Sequence, residues 1–231
     1  MGHIAVLRRL LLTVALVASV LAISTLAGAD PATPQLQPGF TIDEVFGNGL
    51  NTPVAMRFAP NGKVFVAEKA GRVKVFDNLT STNPRLVANL TGVVHSPADR
   101  GLLGLAVDPQ YPTRPYIWVA YSFNAPPGKT APFYPANSCP TPPGPNGSGC
   151  VIQNRLSRLT LDANDQMLSE QVLITDWCQQ FPSHSIGDLR FGNDGALYVS
   201  AGDGASYNYA DYGQEPTGGG TITPTYTPAN P

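Results

Sequence analysis

Apolar and polar positions alternate in short runs along most of this chain, and the runs come in pairs around turn residues. The clearest pair is Ile186 to Phe191 and Ala196 to Ala201, joined through Asn193-Asp194-Gly195. An Asp-Gly step between alternating runs predicts a β-hairpin with a type I′ turn, whose two central residues both need positive φ. A second pair, Val54 to Phe58 and Lys63 to Glu68, flanks Asn61-Gly62, and Arg72 to Phe76 follows the break at Gly71. Further strands are predicted at Phe40 to Phe46, Leu102 to Pro109, Tyr116 to Tyr121, Val151 to Leu161 and Gln171 to Ile174. Asp162 to Ser169 reads as a polar turn. No span beyond residue 30 shows sustained helical periodicity.

The paired runs repeat. Met56-Arg57-Phe58 lies over Leu189-Arg190-Phe191, Asn61-Gly62 over Asp194-Gly195, and Val64-Phe65-Val66 over Leu197-Tyr198-Val199. A looser copy joins Leu102-Leu-Gly-Leu-Ala-Val-Asp-Pro109 to Tyr116-Ile-Trp-Val-Ala-Tyr121 through a longer turn. Recurring strand-turn-strand units with strands between them predict an all-β fold, a β-propeller of four-stranded antiparallel blades. At roughly 40 to 50 residues per blade, the chain holds about three to four. The expected organisation is a partial propeller over 39–214, preceded by a proline-punctuated leader at 30–38. It is followed by a Thr/Pro/Gly-rich stretch at 215–231, a tail or a truncated loop.

The first 29 residues read differently. Arg8 and Arg9, the apolar run Leu10 to Ile23 and Ala27-Gly28-Ala29 form the three parts of an export signal. The apolar run is shorter than the roughly 20 residues of a membrane span. The expectation is a secreted or periplasmic protein, cleaved near Ala29 and without membrane attachment thereafter. Cys139 and Cys150 bracket a proline- and glycine-rich loop, so a disulfide is expected between them, with Cys178 left unpaired. Asn78, Asn89 and Asn146 each begin an Asn-x-Ser/Thr sequon.

Composition narrows the function. Only 13% of residues are charged and the formal net charge is −2, which offers no electrostatic footprint for nucleic acid. The predicted hairpin begins just after His184 and ends just before Asp203, so a tight antiparallel return brings both to one edge of the sheet. That arrangement suits a histidine base oriented by a carboxylate. It also suits a surface histidine and a turn aspartate that share a hairpin mouth. His95 reads as a solvated loop histidine. Tyr207, Tyr209 and Tyr212 are candidates for a sugar-stacking wall or for rim packing.

Two stretches carry a likeness. Arg100-Gly-Leu-Leu-Gly-Leu-Ala-Val-Asp-Pro109 and the run from His184 to Gly204 resemble the glucose/sorbosone dehydrogenase family. The likeness covers roughly residues 39 to 214, the N-terminal half of that domain. It implies a six-bladed propeller, exported, oxidising the anomeric carbon of aldoses by hydride transfer to pyrroloquinoline quinone. In the family the matching histidine takes the proton from the sugar C1 hydroxyl and the matching aspartate holds it, which falls on His184, with Gly187 three positions on, and on Asp203. His184 and Asp99 then border the quinone. At Asp99 the glucose-oxidising members carry glutamine, and an ionised carboxylate there accepts hydrogen bonds but cannot donate them. The residues that clamp the cofactor carboxylates, and those that bind calcium, come from later blades in the family. The alternatives are a non-catalytic propeller that binds carbohydrate or protein, and an inactive truncated fragment.

Overall fold

The structure is a computed structural model that describes residues 35–139 and 150–205. The expected export signal, the sequon at Asn146, the three tyrosines after residue 205 and the stretch 215–231 lie outside the described residues. The chain divides into two units, residues 1–43 and 44–231. In the first, the described part is a turn closed by Phe40 N–H on the Gln37 carbonyl at 3.2 Å.

The second unit is built from ten strands: β1 (Pro53–Phe58), β2 (Val64–Glu68), β3 (Arg72–Phe76), β4 (Arg85–Asn89), β5 (Leu102–Val107), β6 (Tyr116–Phe123), β7 (Ile152–Leu161), β8 (Met167–Gln179), β9 (Ile186–Phe191) and β10 (Leu197–Ala201). The one helical element among the described residues is a single 3-10 turn at Pro135–Asn137. The strands form a four-stranded sheet β1-β2-β3-β4, a second four-stranded sheet β5-β6-β7-β8, and the hairpin β9-β10, every neighbour antiparallel. Successive chain-ordered meanders of this kind are the blades of a β-propeller, here an incomplete one.

The first strands of the three sheets come together, β1 on β5 and β5 on β9. Phe65, Val73, Val75, Leu102, Leu105, Ile117 and Val119 bury a core between the first and second sheets. Ala106, Ala120, Leu156, Ile186 and Leu189 bury one between the second and third. The close approach of β5 to β9 explains a glycine: a Cβ at Gly104 would lie 2.9 Å from both Ala120 Cβ and the Gly187 carbonyl oxygen.

The aligned hairpins fold alike. Phe58 pairs with Val64 as Phe191 pairs with Leu197. Ala59 N–H reaches the Lys63 carbonyl at 2.8 Å, as Gly192 N–H reaches that of Ala196 at 2.9 Å. The turn itself differs from the type I′ expectation, because only the glycine is left-handed, with φ of 86° at Gly62 and 80° at Gly195. Asn61 and Asp194 keep negative φ, and Gly195 N–H closes on the Gly192 carbonyl at 3.0 Å. Asp194 instead uses its side chain, accepting from Ala196 N–H at 3.0 Å, so the loop is one of the longer type I hairpin turns.

Two other expectations are corrected. Residues 40–46 form no strand and stay mostly exposed, and none of the described strands pairs with them. Asp162 to Ser169 is a shorter turn than predicted, since β8 already begins at Met167. Cys139 and Cys150 are disulfide-bonded with Cα atoms 5.6 Å apart, while Cys178 is exposed and unbonded. Among the described residues, no helix is long and apolar enough to cross a membrane.

Candidate functional site

The return of β10 along β9 continues past the two strands and draws their open ends together. Gly202 N–H donates to the Ser185 carbonyl at 2.8 Å and Gly204 N–H to that of His184 at 3.0 Å. The backbones meet so closely that a Cβ at Gly202 would sit 2.3 Å from the His184 carbonyl oxygen. Only glycine permits this approach, and the glycine directly precedes Asp203.

His184 and Asp203 meet at this mouth. His184 Nδ1–H donates to Asp203 Oδ1 at 2.9 Å, with the two side chains 43% and 64% exposed. The same Oδ1 accepts the Ala205 backbone N–H at 3.1 Å. Those two donors, the Ala205 amide foremost, hold the Asp203 carboxyl below the usual carboxylate range, so it is an anion at neutral pH. A carboxylate on Nδ1 fixes the imidazole tautomer and leaves the basic lone pair on Nε2. His184 itself is left-handed, with φ of 49°, a sparsely populated region for a residue with a side chain.

Asp99 reaches the same place through its backbone. Its N–H donates to the Pro182 carbonyl at 3.0 Å, two residues before His184, and the residue is exposed. Arg100, next in sequence, turns inward and is fully buried. Its guanidinium donates to the Gln179 and Gln180 carbonyls at 3.1 and 3.2 Å, to Cys150 Sγ at 3.0 Å, and to His95 Nδ1 at 3.2 Å. Burial lowers its pKa to about 9.

The solvated reading of His95 does not hold. Its ring is fully buried, donating from Nε2 to the Ser138 carbonyl at 2.9 Å, while Asn137 caps Ser96 N–H at 2.9 Å. Burial, then the Arg100 charge, lower the His95 pKa to about 4, so it is a neutral structural residue. The segment carrying Asp99 is thus stitched from below by residues 137–139 and by the disulfide-bonded Cys150.

Gln179 and Arg100 stand behind this mouth, and sequence reasoning gave neither a role in it. Gln179 ends a long strand, and nothing local distinguishes it from the neighbouring Gln180. The signal in Arg100 was its place in the quoted motif, directly after Asp99.

Among the described residues, no three His, Cys, Asp or Glu side chains gather as a metal site. The cations beside the Asp99 segment are both engaged with carbonyls, Lys69 Nζ with Ser96 O at 2.7 Å and Arg100 as above. His184 and Asp203 form a pair able to take and release a proton. The described residues do not supply a clamp for an anionic cofactor.

The chain is 25% identical over 203 residues to quinoprotein glucose dehydrogenase B of Acinetobacter calcoaceticus, covering 85% of this chain and 39% of the relative. A Thermus thermophilus oxidoreductase described as a glucose dehydrogenase aligns in structure with a TM-score of 0.48 at 26% identity, over 69% of this chain and 39% of that one. The aldose sugar dehydrogenase of Streptomyces coelicolor, solved with pyrroloquinoline quinone bound, gives 0.49 at 20% identity, over 68% and 39%. The chain therefore spans about two fifths of the length of these relatives. A family model described as glucose/sorbosone dehydrogenase matches residues 50–223, which take in both sequence stretches and the whole His184–Asp203 mouth. The chain belongs to the glucose/sorbosone dehydrogenase family.

Proposed function

We propose that this chain is part of an exported sugar dehydrogenase that oxidises the anomeric carbon of aldoses. The contact between His184 Nδ1 and Asp203 Oδ1 carries the reading, since a carboxylate on one ring nitrogen supports a base role for the other in a chain of this family. Pyrroloquinoline quinone, when bound, supplies the two-electron acceptor that takes the C1 hydride as the sugar becomes a lactone. The chain's own part is proton handling: His184 Nε2 takes the C1 hydroxyl proton while the Asp203 anion stabilises the imidazolium that forms. The exposure of both side chains lets a sugar approach without rearrangement of the core. Cofactor anion clamps, and calcium where it is used, come in this reading from residues other than those described.

Asp99 favours a second reading. A carboxylate beside the mouth adds negative charge where an anionic quinone would lie and offers it no donor. A propeller that binds carbohydrate or protein without redox chemistry would tolerate that charge.

The test is aldose-dependent dye reduction by the whole protein reconstituted with quinone and calcium. His184→Ala is expected to lower turnover by about 10²- to 10⁴-fold, the usual contribution of a general base. Asp203→Asn is expected to lose less, because the imidazole stays in place and only tautomer control and charge are altered. Wild-type turnover in folded His184→Ala would sink the catalytic reading. Saturable aldose binding with no turnover in the wild type would favour the second.

A further inference from the structure

The last residue of β8, Gln179, uses its side chain in an unusual way. Its carboxamide Nε2 lies 2.8 Å from the Phe181 carbonyl, 3.0 Å from the Ser183 carbonyl and 2.8 Å from Ser185 Oγ. Its Oε1 accepts from Asn154 Nδ2 at 3.2 Å, and Asn154 Oδ1 accepts from Ser122 Oγ at 2.9 Å. The orientation of the amide follows from this surrounding: three acceptors face the nitrogen and one donor faces the oxygen. All three members are buried, Ser122 at 0%, Asn154 at 3% and Gln179 at 2% exposure. A polar chain thus crosses the second sheet from β6 through β7 to the end of β8, in positions an apolar core would otherwise fill.

The end of that chain meets the site. Phe181, Ser183 and Ser185 bracket His184, so one carboxamide ties the loop on both sides of the histidine. Gly204, which follows Asp203, packs on the same side chain, and a Cβ there would lie 3.0 Å from Gln179 Cγ. A left-handed histidine persists only where its surroundings hold it. Here the surroundings are the Gln179 amide, the hydrogen bond from Gly204 N–H to the His184 carbonyl, and the backbone bonds of Phe181, Pro182 and Ser185 to Gly204, Asp99 and Gly202.

We infer that Gln179 is a positioning residue for His184: its carboxamide, oriented by Asn154 and Ser122, fixes the 181–185 loop so that Nδ1 points at Asp203. The inference rests on the proposed role of His184, and it concerns the loop that presents that residue rather than any contact with sugar or quinone.

The test needs neither cofactor nor sugar. Nitrogen-15 histidine spectra read the neutral tautomer of His184, assigned by its loss in His184→Asn. The wild type is expected to carry the proton on Nδ1. In Gln179→Glu, which keeps the volume but has no N–H to donate to the surrounding oxygens, and in Gln179→Met, the proton is expected to move mainly to Nε2. Asp203→Asn should give the same change. His95, tied to the Ser138 carbonyl, reports whether the fold is intact and should keep its own signals in every variant. An unchanged His184 tautomer in a folded Gln179 variant would overturn the inference. So would failure of both Gln179 variants to fold, which would assign the residue to the core alone. Turnover of the reconstituted whole protein reads the other question separately. A moved tautomer in a protein without aldose oxidation leaves the positioning role standing and removes the dehydrogenase reading. Conversely, an unmoved tautomer in an active enzyme removes Gln179 alone.

Discussion

His95 and His184 lie in one family region yet have opposite chemistry, and burial decides which is which. His95 sits in the core beside the Arg100 guanidinium, and its pKa is lowered to about 4. In the unfolded chain an imidazole titrates near 6.5. Between those values the unfolded state binds a proton that the folded state does not, so stability falls as pH drops from about 6.5 towards 4. The slope for one such group is at most about 1.4 kcal/mol per pH unit. Urea midpoints measured across that window should decline in the wild type and flatten in His95→Gln, where no proton is taken up. A midpoint equally steep in both proteins would show that another group carries the dependence. The two histidines also mark what the sequence made legible. The His184–Asp203 contact could be read because a hairpin ties its own ends together, nineteen residues apart. The burial of His95 could not, since it depends on Ser138, 43 residues away, and on an inward-turned arginine that the motif does not reveal. Asp99 falls between the two: only the family resemblance put it near His184, and the structure joins its backbone to Pro182.

Strands proved legible where alternation was strong and the partner was close. β1, β2, β3, β5, β6, β7, β9 and β10 all fall on or near predicted runs. β4 was not read, because Arg85-Leu-Val-Ala-Asn89 is short and follows a polar turn. β8 was read only at Gln171 to Ile174, since Ser169, Glu170, Thr175 and Asp176 interrupt its apolar pattern, yet the ladder with β7 carries it from Met167 to Gln179. The turn between β7 and β8 joins elements far apart in sequence. Asp165, 2% exposed, accepts from Lys63 Nζ at 2.7 Å, Arg85 Nη2 at 2.8 Å and the Tyr111 hydroxyl, so one carboxylate pins the second sheet to the first. Burial alone would raise its pKa, but Lys63, Tyr111 and Arg85 outweigh that and lower it. A lowered folded pKa means that this stabilisation is full above the unfolded value near 3.9 and is lost as pH falls through the folded one. Asp165→Asn should therefore cost about 2 kcal/mol at neutral pH, the scale of hydrogen bonds to a charged group. Below pH 4 the variant and wild type should converge in chemical denaturation. Persistence of the full difference at pH 2 would place the effect in packing rather than in charge. This window lies below that of His95, so one set of denaturation curves separates the two groups.

At the scale of the propeller unit, the faces left uncovered are apolar. Val54, Met56 and Phe58 alternate along β1 and are 40, 47 and 57% exposed, on the face opposite the one that packs towards β5. Beside them Phe46, Leu50, Val54, Met56 and Val66 line a groove of about 400 Å³. Among the described residues β1 pairs with β2 alone, so one edge of its backbone has no described ladder partner. An apolar row next to an unpaired edge invites strand-to-strand or face-to-face association, and native sheets normally blunt such edges with charge, bulges or covering segments. The sequence contained this outcome in its blade count, though not the identity of the exposed row, which depends on which side of β1 meets β5. We expect the 231-residue chain to self-associate as concentration rises, seen as a growing mass in light scattering after size exclusion. Replacing Met56 and Phe58 together with lysine puts charge on the row, and β1 should tolerate it because both side chains already face solvent. That double variant is expected to shift the population towards monomer with little change in thermal midpoint. A monodisperse wild-type monomer at every concentration would end this prediction, and it would mean that the row is covered within the chain itself. Association undiminished by the lysines would instead place the contact on another face, such as the one carrying Tyr198 on β10, 58% exposed.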